Sequence, residues 1–455
     1  SGIGNTAIGY QALDAEDDGD FNTAIGYNAL TSQTGYSGEV GNTAIGYKAG
    51  EDVTTGRSLV LVGYNAGYNV TSPQSCVFIG SNAGYGTATN VNSVVAIGQA
   101  AYYGNKGDHS GTSGGVFIGY GAGYSTSRSS GSVMIGYEAG RTNQYDNYIT
   151  ALGYQAYRGV DGTHNTSHGT TAIGYRAAAK GTYEGGFDYN VFVGAFAGED
   201  GNYTTTVGYE AARYATGSYN TFMGYRAGKG GTTSAPYSSG PNNTAVGVEA
   251  LGAFTTAEDN TALGMYAGQL LTSGDSNTLL GNAAGRYMTT TSKTVLIGVT
   301  AGDAINSTDA DGTVAIGYRA GTGITSGQYN IAIGFEAGKN QSTADSNTFV
   351  GYQSGRQTTG NNNTALGKYT MYEGAGADGN TAIGTNALQN NTADNNTAIG
   401  YNALTAATTG TGNVAIGANA LLKANHADAD YNVAIGQGVG SELLNGYYNV
   451  LIGYN

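Results

Sequence analysis

A short pattern of polar, β-branched, apolar, aliphatic and glycine positions recurs along the whole chain. Asn22-Thr23-Ala24-Ile25-Gly26, followed by Tyr27-Asn28-Ala29-Leu30, returns almost letter for letter at Asn396–Leu404. Aligned on the glycine, 26 copies run from Gly9 to Gly453, so the mean period is (453 − 9)/25, about 17.8 residues. Three residues before each glycine stands a β-branched residue (Thr6, Val60, Ile331), and one residue before it an aliphatic one or Met (Ile8, Met223, Ile452). β-Branched residues alternating with period two predict a short strand. A strand this short buries little by itself, so successive copies are expected to stack as a solenoid. The expected fold is therefore all-β: a parallel β-solenoid, or β-roll, of about 25 short coils, with residues 1–455 forming one continuous array.

The column between those two positions carries the expectation of assembly. It reads Ala7, Leu61, Phe78, Phe117, Met134, Phe192, Phe222, Leu296 and Phe349 among others, with Thr206 its only polar member. If the β-branched and aliphatic columns fill the coil, this one faces outward, and an uncharged outward column implies burial against a second copy. These residues are accordingly read as an oligomer interface, and a rod-shaped homotrimer is expected. Three residues after the glycine, Ala fills 22 of 25 copies, Ser354, Thr370 and Val439 being the others, as a cramped interior corner would demand. Two after it, polar residues such as Lys48 and Glu138 suggest a solvated site. Asn often opens the strand, where stacked amides can form a hydrogen-bonded ladder and tolerate left-handed geometry.

Composition narrows the class. Gly supplies 79 residues and Pro only 3, which excludes collagen. Charged residues make up 11% and the formal charge is −14, so clustered cations for nucleic acid are missing. Cys76 stands alone, and no apolar run is long enough to predict a membrane helix.

The Asn-Thr-Ala-Ile-Gly repeat, with copies such as Asn413-Val414-Ala415-Ile416-Gly417, resembles the head repeats of YadA-type trimeric autotransporter adhesins. The longer form, with Tyr after Gly and the Asn/Thr/Gly-rich spacer Tyr401–Gly412, is similar to repeats of phage tail-fibre proteins. The resemblance implies a trimeric, extracellular fibre shaft, a piece of a longer protein, on a virion or a bacterial surface. A phage tail or virion fibre carrying host-surface recognition is the leading expectation, with a bacterial trimeric surface adhesin as the alternative. Its partners would be further copies of itself and a cell-surface glycan or protein, with no nucleic acid and no membrane insertion.

Enzymatic signals are thin, and no catalytic residue, cofactor or metal is expected. His164 and His168 lie in a loop without a helix to fix their spacing. Asp14–Asp20 lacks calcium-loop spacing. Gly119-Tyr120-Gly121-Ala122-Gly123 is one copy of the repeat rather than a phosphate loop. A fibre-borne polysaccharide depolymerase would need paired carboxylates. An ice-binding solenoid would need an outward array of hydroxyls, whereas the Thr column is expected to face inward. Four long intervals between Gly98 and Gly247 gather Tyr102, Tyr103, His109, Tyr157, Arg158, His164, His168, Tyr183, Phe187, Tyr189 and Tyr237. These are the candidate surface-recognition loops, because exposed aromatics beside polar groups can stack on sugars and hydrogen-bond their hydroxyls. The Tyr column after the glycine reads as a stacked structural ladder, or as a glycan track.

Overall fold

The computed structural model describes all residues except Ser1, 35–36, 87–90, 105–112, 127–128, 143–145, 160–167, 180–187, 199–202, 232–236, 407, 425 and 427. The chain divides into two compact units, Ser1–Asn220 and Thr221–Asn455. Each is a parallel β-solenoid built from the same coil. Three-residue strands recur from Thr6–Ile8 to Thr205–Val207 in the first unit and from Thr221–Met223 to Val450–Ile452 in the second. Successive copies pair in parallel without slippage: Thr43 lies opposite Val60 and Ala44 opposite Leu61, and Ile331 opposite Thr348 in the second unit. Among the described residues, the only helix is a 3₁₀ turn at Thr308–Ala310.

The anchor glycine makes this stacking possible. Its φ lies near +135°, as at Gly63, Gly317 and Gly334, a backbone region that L side chains rarely enter. A Cβ on Gly80 would stand 2.6 Å from the Gly98 carbonyl oxygen of the next coil. Backbone bonds tie the coils beside it: the Gly63 N–H donates to Ile45 O at 2.8 Å, and Asn65 N–H to Tyr47 O at 2.9 Å. Three residues past the anchor, Ala29, Ala66, Ala301 and most of their equivalents are fully buried, as the cramped corner requires, with Ala12 of the first coil only partly so.

The two strand faces are the reverse of the sequence expectation. Leu61, Phe78, Phe117, Met134, Phe192, Phe222, Leu296 and Phe349 are fully buried inside their own chain, so this column is the solenoid core rather than an interface. Ala7, in the first coil, is exposed instead. The reason lies in the alternation of Asn-Thr-Ala-Ile-Gly. Asn and Ala share the inner face, so the β-branched and aliphatic residues between and after them must point outward.

The core is filled by a size exchange between two positions six residues apart. Wherever the strand centre is Phe or Met, the sixth residue after it is Gly: Phe78 with Gly84, Phe117 with Gly123, Met134 with Gly140, Phe349 with Gly355. A Cβ on Gly84 would meet the Phe78 ring at 2.6 Å. Where the centre is Ala, the sixth residue is often large: Ala24 with Leu30, Ala96 with Tyr102, Ala365 with Met371, Ala382 with Leu388. All of these larger residues are buried, so the coil keeps a near-constant filled volume, as close packing demands.

The Asn column is a buried ladder. Asn277 Nδ2 donates to Asn260 Oδ1 at 2.9 Å and to Thr291 O at 2.9 Å, while its backbone N–H donates to the same Asn260 oxygen at 2.9 Å. Asn277 thus ties its coil to both neighbouring coils. The left-handed residue is the one before it, as at Ser276, Tyr329 and Ser346, not the Asn.

Candidate functional site

The outward columns make one uncharged surface in each unit. Beside half-buried Thr and Val stand Ile45, Ile135, Met223, Leu263, Leu366 and Ile435, between 38 and 48% exposed. No Asp, Glu, Lys or Arg occupies either column in any copy. Contiguous apolar area of this kind marks an interaction surface in soluble proteins. The same reversal puts the Thr column outside, so the inward placement that argued against an outward hydroxyl array does not hold.

Tyrosines line the corner next to this surface. Tyr10, Tyr27, Tyr47 and Tyr64 stack with centroids 5.0–5.3 Å apart, and Tyr120, Tyr137, Tyr154 and Tyr175 repeat the arrangement at 5.0–5.4 Å. In such a stack the ring faces cover one another, leaving edges and hydroxyls to solvent. A face-on glycan track therefore has little to bind except at the ends, and the ladder stabilises neighbouring coils.

The position after that tyrosine is less solvated than expected. Glu138, Glu210 and Glu336 are 4–6% exposed. Glu336 accepts from Lys339 Nζ at 2.7 Å, Arg356 Nε at 2.9 Å and Gln353 Nε2 at 2.9 Å. Burial pushes its pKa up, but these hydrogen bonds and the Lys339 charge outweigh that and hold it at about 2. Glu138 pairs with Arg141 and, at 3.3 Å, with Arg158. These carboxylates clamp adjacent coils, and a permanently ionised Glu336 is unsuited to donate a proton.

The sequence-predicted recognition residues disperse. Tyr102 and Tyr157 are buried rather than presented: Tyr102 packs 4.9 Å from the Phe117 ring, and the Tyr157 hydroxyl donates to Asp146 at 3.3 Å. Both face inward because their strand centres, Ala96 and Ala151, are small. Tyr103 belongs to a second outer ladder, and Arg158 lies against Glu138. His168 is half exposed with Nδ1 3.4 Å from Asp188. Tyr189, 62% exposed, stacks on Tyr203 at 5.8 Å, and Tyr237 is partly buried. His109, His164, Tyr183 and Phe187 lie outside the described residues. In the acidic run, Glu16 accepts from the Gly19 N–H at 2.6 Å within a turn, and Asp20 accepts from the Ile3 N–H at 2.6 Å across neighbouring coils. Among the described residues no group of three His, Cys, Asp or Glu could hold a metal, and no helix is long and apolar enough to cross a membrane.

Sequence reasoning missed the outer face, although the buried Asn, two residues from the strand centre, was its signal. No protein-family model matches the chain, and no curated protein is significantly similar to it.

Proposed function

We propose that this chain is the shaft of an extracellular fibre, assembled as a homotrimer through the outward Thr/Val and Ile face and serving attachment rather than catalysis. The uncharged, exposed Ile, Leu and Met column is the observation that carries this reading. Fourteen strands in the second unit, spaced about 4.8 Å apart and three residues long, give a face of roughly 600 Å². The first unit carries a similar face. Register between copies costs little, because every coil presents the same pair of columns. Three chains also multiply any weak contact with a surface glycan or protein. A phage tail or virion fibre remains the leading assignment, and a bacterial surface adhesin the alternative. Attachment to phage-susceptible or host cells separates these two.

The test is sedimentation of the chain beside an Ile383→Lys, Ile399→Lys, Ile416→Lys variant. A trimer that becomes a folded monomer in the variant supports the reading; a wild-type monomer at micromolar concentration overturns it. The outward Thr column favours a second reading, an ice-binding face with hydroxyls and methyls repeating at the coil spacing. Thermal hysteresis from a monomer would support it.

A further inference from the structure

The second outer ladder has a chemistry that the shaft reading does not use. Tyr68, Tyr85, Tyr103 and Tyr124 sit five residues after successive anchors, beyond the Ala corner and away from the Ile column. They therefore stay open whether or not the strand face is covered. Centroids are 5.3, 4.9 and 4.8 Å apart, and the planes tilt by only 11°, 4° and 2°. Lys48 stands 5.2 Å over the Tyr68 ring at one end and Arg141 5.5 Å over Tyr124 at the other. All four rings are half-buried, so solvent reaches the ring edges while the coils fix which ring meets which.

We propose that this ladder is a site of oxidative tyrosine coupling, forming dityrosine bonds between adjacent coils of one chain. A one-electron oxidant, such as a haem peroxidase with hydrogen peroxide, removes one electron and one proton from each of two neighbouring phenols. The two radicals join through the carbons ortho to their hydroxyls, and the ring hydrogens at those carbons move to the oxygens as the rings regain aromaticity. Two tyrosines thus lose two hydrogens in all, and one peroxide becomes two waters. Pairing Tyr68 with Tyr85 and Tyr103 with Tyr124 places covalent staples in a chain whose lone cysteine can make no internal disulfide.

Competing sinks other than tyrosine are few. The chain holds 37 Tyr and no Trp, and Cys76 is buried with its thiol pushed up to about 11, which suppresses the reactive thiolate. Met223 and Met265 are exposed, but thioethers take up oxygen by two-electron oxidation rather than coupling.

The experiment treats the full chain with a haem peroxidase and limiting peroxide, then maps cross-linked peptides by mass after proteolysis. Tyr329 and Tyr401 are the internal controls, because they are 67 and 56% exposed yet have no neighbouring ring among the described residues. Linked peptides two hydrogens lighter, joining Tyr68 to Tyr85 or Tyr103 to Tyr124 at least tenfold more often than any involving Tyr329 or Tyr401, would support the proposal. The Y68F, Y85F, Y103F, Y124F variant should keep its circular dichroism and lose those peptides. Coupling that follows exposure, with Tyr329 and Tyr401 joined as often, or that occurs only between chains, would overturn it.

Discussion

Two stretches of the molecule solve the same buried position differently. In the second unit, the residue opening each strand is Asn in eleven consecutive or near-consecutive coils, with only Thr294 and Thr313 intervening between Asn243 and Asn449. In the first unit, from Leu59 to Ile149, the same position holds Leu59, Cys76, Val94, Gly115, Ser132 and Ile149. The amide stretch ties its coils with side chains: Asn347 N–H donates to Asn330 Oδ1 at 3.0 Å, and Asn347 Nδ2 to Gly360 O at 2.9 Å. Two residues earlier, the Gln328 N–H donates to Asp345 Oδ1 and the Asp378 N–H to Asp394 Oδ1, both at 2.8 Å. From Arg57 to Ser113 the hydrocarbon stretch uses backbone there, and side chains return only at its far end, where the Ser130 N–H donates to Asn147 Oδ1 at 3.0 Å. Arg57, Gln74, Asn92 and Ser113 form successive isolated parallel bridges, and the Ser75 N–H reaches Arg57 O at 3.0 Å. Deleting an amide where amides carry the corner leaves orphans; where backbone carries it, apolar side chains can occupy the core.

The largest effect should be common to both stretches, because the anchor precedes the difference. Gly80→Ala and Gly334→Ala each drive a methyl group into the next coil's backbone at a φ near +131° or +135°. Each should cost more than about 4 kcal/mol, the range reserved for gross disruption, as measured by denaturant midpoint. A much milder loss in one stretch would mean that its coils are not stacked on this glycine.

Next comes the core, where the two stretches should prove interchangeable. Phe78→Ala removes a fully buried ring and should cost about 3–5 kcal/mol. Adding Gly84→Leu copies the Ala382 and Leu388 pair of the second unit and should restore at least half of that loss. Leu30 and Leu388 already occupy this turn position at φ near +50°. Thermal unfolding of the single and double variants checks it.

The ladder should separate the stretches. Asn347→Leu leaves the Asn363 N–H and Gly360 O without their buried partners, at about 1–3 kcal/mol each. Exchanging Val94 for Leu in the hydrocarbon stretch removes no hydrogen bond and should cost less than about 1.5 kcal/mol. Equal losses would show that the amides act only by filling space.

The solenoid, its period, the Ala corner and the stacked tyrosines were legible in the sequence, because each recurs in one column and the column's chemistry admits few environments. The facing of the strand was not. Ile and Val look more like core than Ala does, and a buried amide looks like surface. Only the ladder of bonds among coils makes Asn an interior residue. The exchange of Phe78 and Gly84 against Ala382 and Leu388 was visible too, but its meaning depends on two positions six apart meeting inside one turn. Tyr102 and Tyr157 were misplaced for the same reason: beside an Ala they are the large member of the pair, so aromatic character in a long interval did not mean exposure.

The smallest expected effects lie at opposite ends of the pH scale, one in each stretch. Glu336 of the second unit titrates near 2 in the fold against an ordinary 4.5. Its contribution is therefore complete above about pH 4.5 and fades as the pH falls toward 2. Cys76 of the first unit is the reverse case. Burial, only partly offset by hydrogen bonds to backbone, raises its thiol from 9.0 to about 11. The folded chain then holds a proton that the unfolded chain releases, so its contribution is intact below pH 9 and declines as the pH rises toward 11. Glu336→Gln should flatten the acid limb of stability and leave the alkaline limb alone. Cys76→Val, which copies Val94 in the next coil, should remove the cysteine's share of the alkaline decline, and the tyrosines common to both proteins cancel in the comparison. Urea titrations of the three proteins between pH 3 and 10.5 read both limbs. An alkaline limb unchanged by Cys76→Val would mean that the thiol is not held neutral by the hydrocarbon packing that distinguishes this stretch.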